Sequence, residues 1–99
     1  LVQDGRLLMT ADQIKEHLAD ENEDALLLDG FEAAFIGVAR RCGQPSLAAY
    51  SYAKCIDVLM SRDGMEWDDA VEFFEFNVVG AWMGPNTPVI VADEEAQSE

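Results

Sequence analysis

Between Ser51 and Val79 apolar residues recur at helical spacing twice in succession, with a glycine separating the two runs. Tyr52, Cys55, Ile56, Leu59 and Met60 follow i, i+3, i+4, i+7, i+8, the spacing of one helix face. Ser51 stands where that helix needs an N-cap, and Asp63-Gly64 ends it, glycine supplying the left-handed residue past the last turn. A second helix is predicted over 67–79, with Trp67, Ala70, Val71, Phe74 and Val78 as its core stripe. Neither helix is long enough to be stable in water alone, so both stripes must be buried against something else in the chain.

The flanking sequence supplies that element. From Phe31 the pattern turns β-like, with Phe35, Ile36 and Val38 ahead of Arg40-Arg41. Cys42-Gly43-Gln44-Pro45 reads as a turn and Ser46 to Ser51 as a second strand, which makes a hairpin. Gly80, Gly84, Pro85 and Pro88 break the second helix, and Thr87 to Ala92 reads as a last strand. Upstream, Thr10 and Gln13 form a capping box, Met9 and Ile14 a hydrophobic staple, and Ile14 and Leu18 one face of a helix over 11–19. That helix stops in Asp20-Glu21-Asn22-Glu23-Asp24; Ala25 to Leu28 is a short apolar run whose type the pattern leaves open. A hairpin is not stable by itself. The last strand is therefore expected to extend it into a three-stranded antiparallel sheet with the helices on one face, an α+β domain over 10–92 in the order α-β-β-α-α-β. Residues 1–9 read as an N-terminal extension, Met9 being a natural start, and 93–99 as a disordered acidic tail.

The chain of 99 residues carries 20 acidic and 6 basic side chains, a formal net charge of −14. With 49% hydrophobic residues it can still build a core. Such a charge argues against nucleic acid or an anionic membrane as a direct partner, since both reward Lys and Arg at the contact, and it fits a basic protein surface. No apolar run approaches the ~20 residues that span a bilayer, and no signal-peptide pattern is present, so a cytoplasmic setting is expected. Two cysteines, Cys42 and Cys55, are too few for a disulfide scaffold and read as reduced thiols.

Catalytic patterns are weak. The sole histidine, His17, lies on the first helix without a nucleophile near it in sequence. Cys55 falls on an apolar helix face; Cys42 stands beside Arg40 and Arg41, which lower a thiol pKa, but a plain loop cysteine explains it as well. Asp20, Asn22 and Asp24 have the 1-3-5 spacing of a calcium loop, yet Ala25 and Phe31 stand where glycine and a bidentate glutamate are required. There is no zinc set and no phosphate loop. No enzyme activity, metal or cofactor is expected.

The second long helix is the candidate site. Glu66, Asp68, Asp69, Glu72 and Glu75 place five acids within ten residues, with Asp68, Glu72 and Glu75 on one face at i, i+4, i+7. At a 1.5 Å rise this is one negative charge per ~3 Å, close to the ~3.4 Å of a DNA strand. The bland alternative is a solvated helix face with the usual preference for acids at its positive end. Phe73 and Phe76 fall off the core stripe; either they are buried between neighbours or they form an aromatic interface patch.

Leu28-Asp29-Gly30-Phe31-Glu32, Arg41-Cys42-Gly43-Gln44-Pro45, Cys55 to Met60, Asp63-Gly64-Met65, Ala70 to Phe74, Phe76-Asn77-Val78-Val79-Gly80-Ala81-Trp82-Met83-Gly84 and Thr87-Pro88-Val89 together resemble a group of small acidic proteins encoded by tailed bacteriophages and prophages. The resemblance covers roughly residues 10–92, and Phe-Asn-Val-Val-Gly-Ala-Trp is its most specific part. It implies a virus-related setting inside a bacterial host cell and no catalytic residues. An aromatic is expected where Cys42 stands, which weakens the case for a functional thiol there.

The expected function is thus a non-enzymatic accessory or inhibitor factor that occludes the basic, nucleic-acid-binding surface of a host or defence protein. In it Glu66, Asp68, Asp69, Glu72 and Glu75 supply charge, and Phe73 or Phe76 an apolar anchor. The alternative is a small structural or assembly protein that self-associates as a homo-oligomer through its aromatic helix. Thirteen of the twenty acids lie in 20–24, 66–75 and 93–99, stretches without a basic residue. Of these only the helix holds charge in fixed geometry.

Overall fold

The Thr10 hydroxyl accepts the Gln13 N–H at 3.1 Å while the Gln13 side chain accepts the Thr10 N–H at 2.8 Å. This reciprocal capping box starts helix α1 (Ala11–Glu21) as the pattern predicts. The computed structural model describes residues 10–93. The extension 1–9, with Met9 of the expected staple, and residues 94–99 of the expected tail lie outside the described residues. Helix α1 runs slightly past its expected end because Asn22 closes it, its N–H donating to Leu18 O at 2.7 Å.

Strand β1 (Phe35–Ala39) follows a 3-10 turn at Glu32–Ala34 and pairs antiparallel with β2 (Leu47–Ser51). The register runs Phe35↔Tyr50, Gly37↔Ala49 and Val38↔Ala48, which leaves Ile36 as the extra residue of a bulge. Gly37 takes φ +148° there, a conformation that suits a residue without a side chain. The bulge resets the alternation: Phe35 and Val38 both face the core, and Ile36 is left exposed.

Ser51 then caps α2 (Tyr52–Asp63), its hydroxyl oxygen accepting the Lys54 N–H at 3.0 Å, and Gly64 ends the helix with φ 72°. Asp93, the first residue of the segment read as a tail, sits on the same helix end. Its Oδ1 accepts the Ala53 N–H at 2.9 Å and its Oδ2 the Ser51 hydroxyl. Those two donors, the amide first, hold its carboxyl below the usual range.

Helix α3 (Trp67–Phe74) passes into a π-helical turn at Glu75–Val79 rather than continuing unbroken. Strand β3 (Val89–Val91) joins the other side of β2, giving the order β1-β2-β3.

The sheet is mixed, which corrects the antiparallel expectation: β3 lies parallel to β2, with Ala49↔Val89, Tyr50↔Ile90 and Ser51↔Val91. The reason is the crossover. A parallel neighbour needs a connection of roughly a dozen residues or more, usually helical. Residues 52–88, carrying α2 and α3, return the chain to the starting end of β2. The α+β class and the element order stand.

One core unites the helices with a single sheet face. Leu18, Phe35, Ala48, Tyr50, Ile56, Leu59 and Phe74 are among its buried members, and Ile90 packs against them. Phe74 meets Phe31 and Tyr52 edge-on, at centroid distances of 5.7 and 5.2 Å. Trp67, expected in the core stripe, is 58% exposed. It stands in the first turn of α3, and the inward contacts of that helix begin only at Ala70.

Candidate functional site

Ala70 and Phe74, both fully buried, fix which side of α3 faces inward. At 3.6 residues per turn, Asp68, Asp69 and Glu72 then project from the outer side, and all three are exposed. Glu66 is the N-cap residue and makes no side-chain cap bond. Asp68 and Asp69 occupy the first turn, where free N–H groups favour negative charge. Glu75 differs from the others. Its Oε2 accepts the buried Tyr52 hydroxyl at 2.8 Å, so this carboxylate ties α3 to the start of α2 rather than standing free on the outer face.

Phe73 is 40% and Phe76 83% exposed, so neither ring is sandwiched between neighbours. Two residues past buried Phe74, Phe76 lies about 200° round the helix and so faces outward. The Gly80 N–H reaches Glu75 O at 2.9 Å, closing a turn wider than an α-turn. Val78 stays packed against the core through this turn, and Phe76 stays outward. A Cβ at Gly80 would stand 3.1 Å from that same carbonyl, so a residue lacking one suits the closure.

The described ion pairs are Arg40–Glu21 and Arg62–Asp63; among the described residues the acids of α3 take part in none. Arg40, followed by the Ser46 hydroxyl, holds the Glu21 carboxyl down to about 2. Arg62 also stacks over Phe31 and donates to Gly30 O, and Lys15 lies over Phe35 at 5.3 Å. These cations are therefore engaged with the core rim and not with α3.

The remaining candidates fall outside this site. His17 lies on the exposed side of α1, and among the described residues no group of three or more His, Cys, Asp or Glu is arranged to hold a metal ion. Cys55 is buried, and burial pushes its thiol up to about 12; Cys42 is exposed and unpaired by any disulfide. Asn22, the central residue of the rejected calcium spacing, is a clamp. Its Nδ2 donates to Ser46 O at 2.8 Å and to Asn86 Oδ1 at 2.9 Å, and its Oδ1 accepts the Asp24 N–H.

Sequence reasoning missed a second surface. Leu47, Ala49, Val89 and Val91 occupy the positions of β2 and β3 that alternate with the core residues Ala48, Tyr50 and Ile90, so they lie on the sheet face turned away from the helices. Trp82, 76% exposed, stands over that face. The signal was present: strands apolar at successive positions, where helices on one face require only alternate ones.

Comparison with protein-family models, with curated proteins and with solved structures finds no match. Among the described residues no helix is long and apolar enough to cross a membrane.

Proposed function

We propose that this chain is a non-enzymatic acidic binding protein, a phage-derived accessory factor that occludes a basic nucleic-acid-binding surface on a host or defence protein. The observation that supports this reading is the outer face of α3, where Asp68, Asp69 and Glu72 stand exposed on one rigid element beside Phe76. Charge held in fixed geometry attracts a basic partner over distance and sets its orientation, while an exposed aromatic supplies the anchor that slows release. Glu66 extends the charged strip at the helix start, Phe73 widens the apolar part, and Glu75 stiffens the junction through Tyr52. The similarity of charge spacing to a nucleic-acid strand makes duplex DNA the natural competitor.

The test is a competition experiment. The chain, labelled at exposed Cys42, is titrated against a panel of basic duplex-DNA-binding proteins from a bacterial host, and duplex DNA is then added. The expected result is binding that weakens steeply with salt, that DNA displaces, and that Asp68→Lys, Asp69→Lys, Glu72→Lys abolishes with an unchanged circular dichroism spectrum. Absence of binding across the panel, binding that survives the reversal, or binding that DNA does not displace refutes the reading.

A further inference from the structure

Twenty of the 99 residues are acidic, yet no acidic residue lines the groove on the sheet face away from the helices. Its volume is about 480 Å³, within the ~300–1,000 Å³ of clefts that hold ligands. Ala39, Leu47 and Val89, outward-facing positions near one end of the sheet, form its floor, and Pro45, Pro85 and Trp82 its walls. Arg40 and Arg41, the only adjacent cations of the chain, stand at its rim. Glu21 holds Arg40, whereas Arg41 is exposed and has no ion pair among the described residues.

This lining selects two chemistries side by side. An apolar floor beside the 76% exposed Trp82 rewards burial of an apolar side chain. An uncompensated guanidinium rewards a carboxylate, which its fork of N–H groups matches in geometry. Neighbouring residues of one peptide supply both. We propose that the groove binds an extended acidic-apolar segment of a partner protein, one apolar side chain lying on Leu47 and Val89 against Trp82, and an adjacent carboxylate paired with Arg41. The net charge of −14 opposes such a ligand only from afar. At ~0.15 M salt the field of exposed charges fades over ~8 Å, and within the groove the lining contributes cations and no acid. The site shares no residue with the outer face of α3 and takes a ligand of opposite charge, so it does not rest on the basic-partner reading.

The test is fluorescence anisotropy at ~0.15 M salt with a labelled octapeptide of alternating leucine and glutamate, beside counterparts with lysine for glutamate and with serine for leucine. The expected result is saturable binding of the leucine–glutamate peptide and a clear loss with the serine counterpart. Trp82→Ala and Arg41→Glu each raise its dissociation constant by roughly 10-fold or more. Both residues are exposed, so both variants keep the fold, which circular dichroism verifies. Lys54→Glu makes the same charge change on α2, at the helix side of the sheet, and leaves the constant within about twofold. The lysine counterpart, which the net charge favours, is indifferent to Trp82→Ala. Sedimentation equilibrium of the chain alone gives the 10.9 kDa monomer. No binding of the leucine–glutamate peptide up to about 1 mM, binding that survives both groove substitutions, or equal loss with Lys54→Glu overturns the proposal. So does a dimer that Trp82→Ala dissociates, which would assign the groove to a second copy.

Discussion

Phe74 and Phe76 stand two positions apart in the same helical segment, and truncating each to alanine should separate core from surface. Phe74 is fully buried, in edge contact with both Phe31 and Tyr52. An aromatic ring of this kind removes at least ~150 Å² from water, which at ~25 cal/mol per Å² is about 4 kcal/mol. The value sits within the ~3–5 kcal/mol measured for Phe→Ala in cores, where the cavity left behind adds to the lost transfer energy. Phe76 retains 83% of its exposure, so only about a sixth of that burial applies, roughly 0.6 kcal/mol. The assay is urea denaturation followed by circular dichroism. With an m-value of about 1–3 kcal/mol/M, Phe74→Ala lowers the midpoint by at least ~1 M, or leaves the chain unfolded in buffer, while Phe76→Ala shifts it by a few tenths. Equal losses from the two substitutions would refute the placement of α3, and with it the anchoring role proposed for Phe76.

Three further outcomes follow from the same structure. Asn22→Ala removes hydrogen bonds to Ser46, Asn86 and Asp24 at once, and should destabilise by about 2–3 kcal/mol in the same urea assay; a change below ~0.5 kcal/mol would mean the clamp carries nothing. A thiol reagent at pH 8 should modify one cysteine of the native chain, Cys42, and both after denaturation, because Cys55 is buried and its thiol is raised to about 12; two fast thiols in the native state would contradict the burial. Glu21, lowered from the ordinary 4.5 to about 2 by Arg40 and then by Ser46, stabilises the fold above its unfolded pKa. That contribution fades as pH falls from about 4.5 toward about 2. An NMR titration should place its midpoint near 2 and move it back toward 4.5 in Arg40→Gln; an unmoved midpoint would show that the pairing is not the cause.

The candidate site was partly readable. The acids of α3 and its off-stripe aromatics are visible from spacing alone, because a helix fixes the angular position of each residue within its own turn. Two features were not. Glu75 shares the acidic face by count, but its bond to Tyr52 depends on how α2 and α3 lie against each other. The apolar sheet face beneath Trp82 depends on β3 joining β2, and no local pattern encodes that choice.

What the chain determines by itself is local. The Thr10–Gln13 box, the Ser51 cap, the Gly64 stop and the inward stripe of α2 all arise within a few residues, where backbone hydrogen bonding and side-chain spacing leave little freedom. Tertiary structure decided the rest. It laid β3 parallel to β2 because the helices carried the chain across the sheet, exposed Trp67 because packing on α3 begins only at Ala70, and widened the end of α3 into a π turn. Each of these balances burial between elements far apart in sequence, and burial is shared between surfaces, so neither surface alone specifies it.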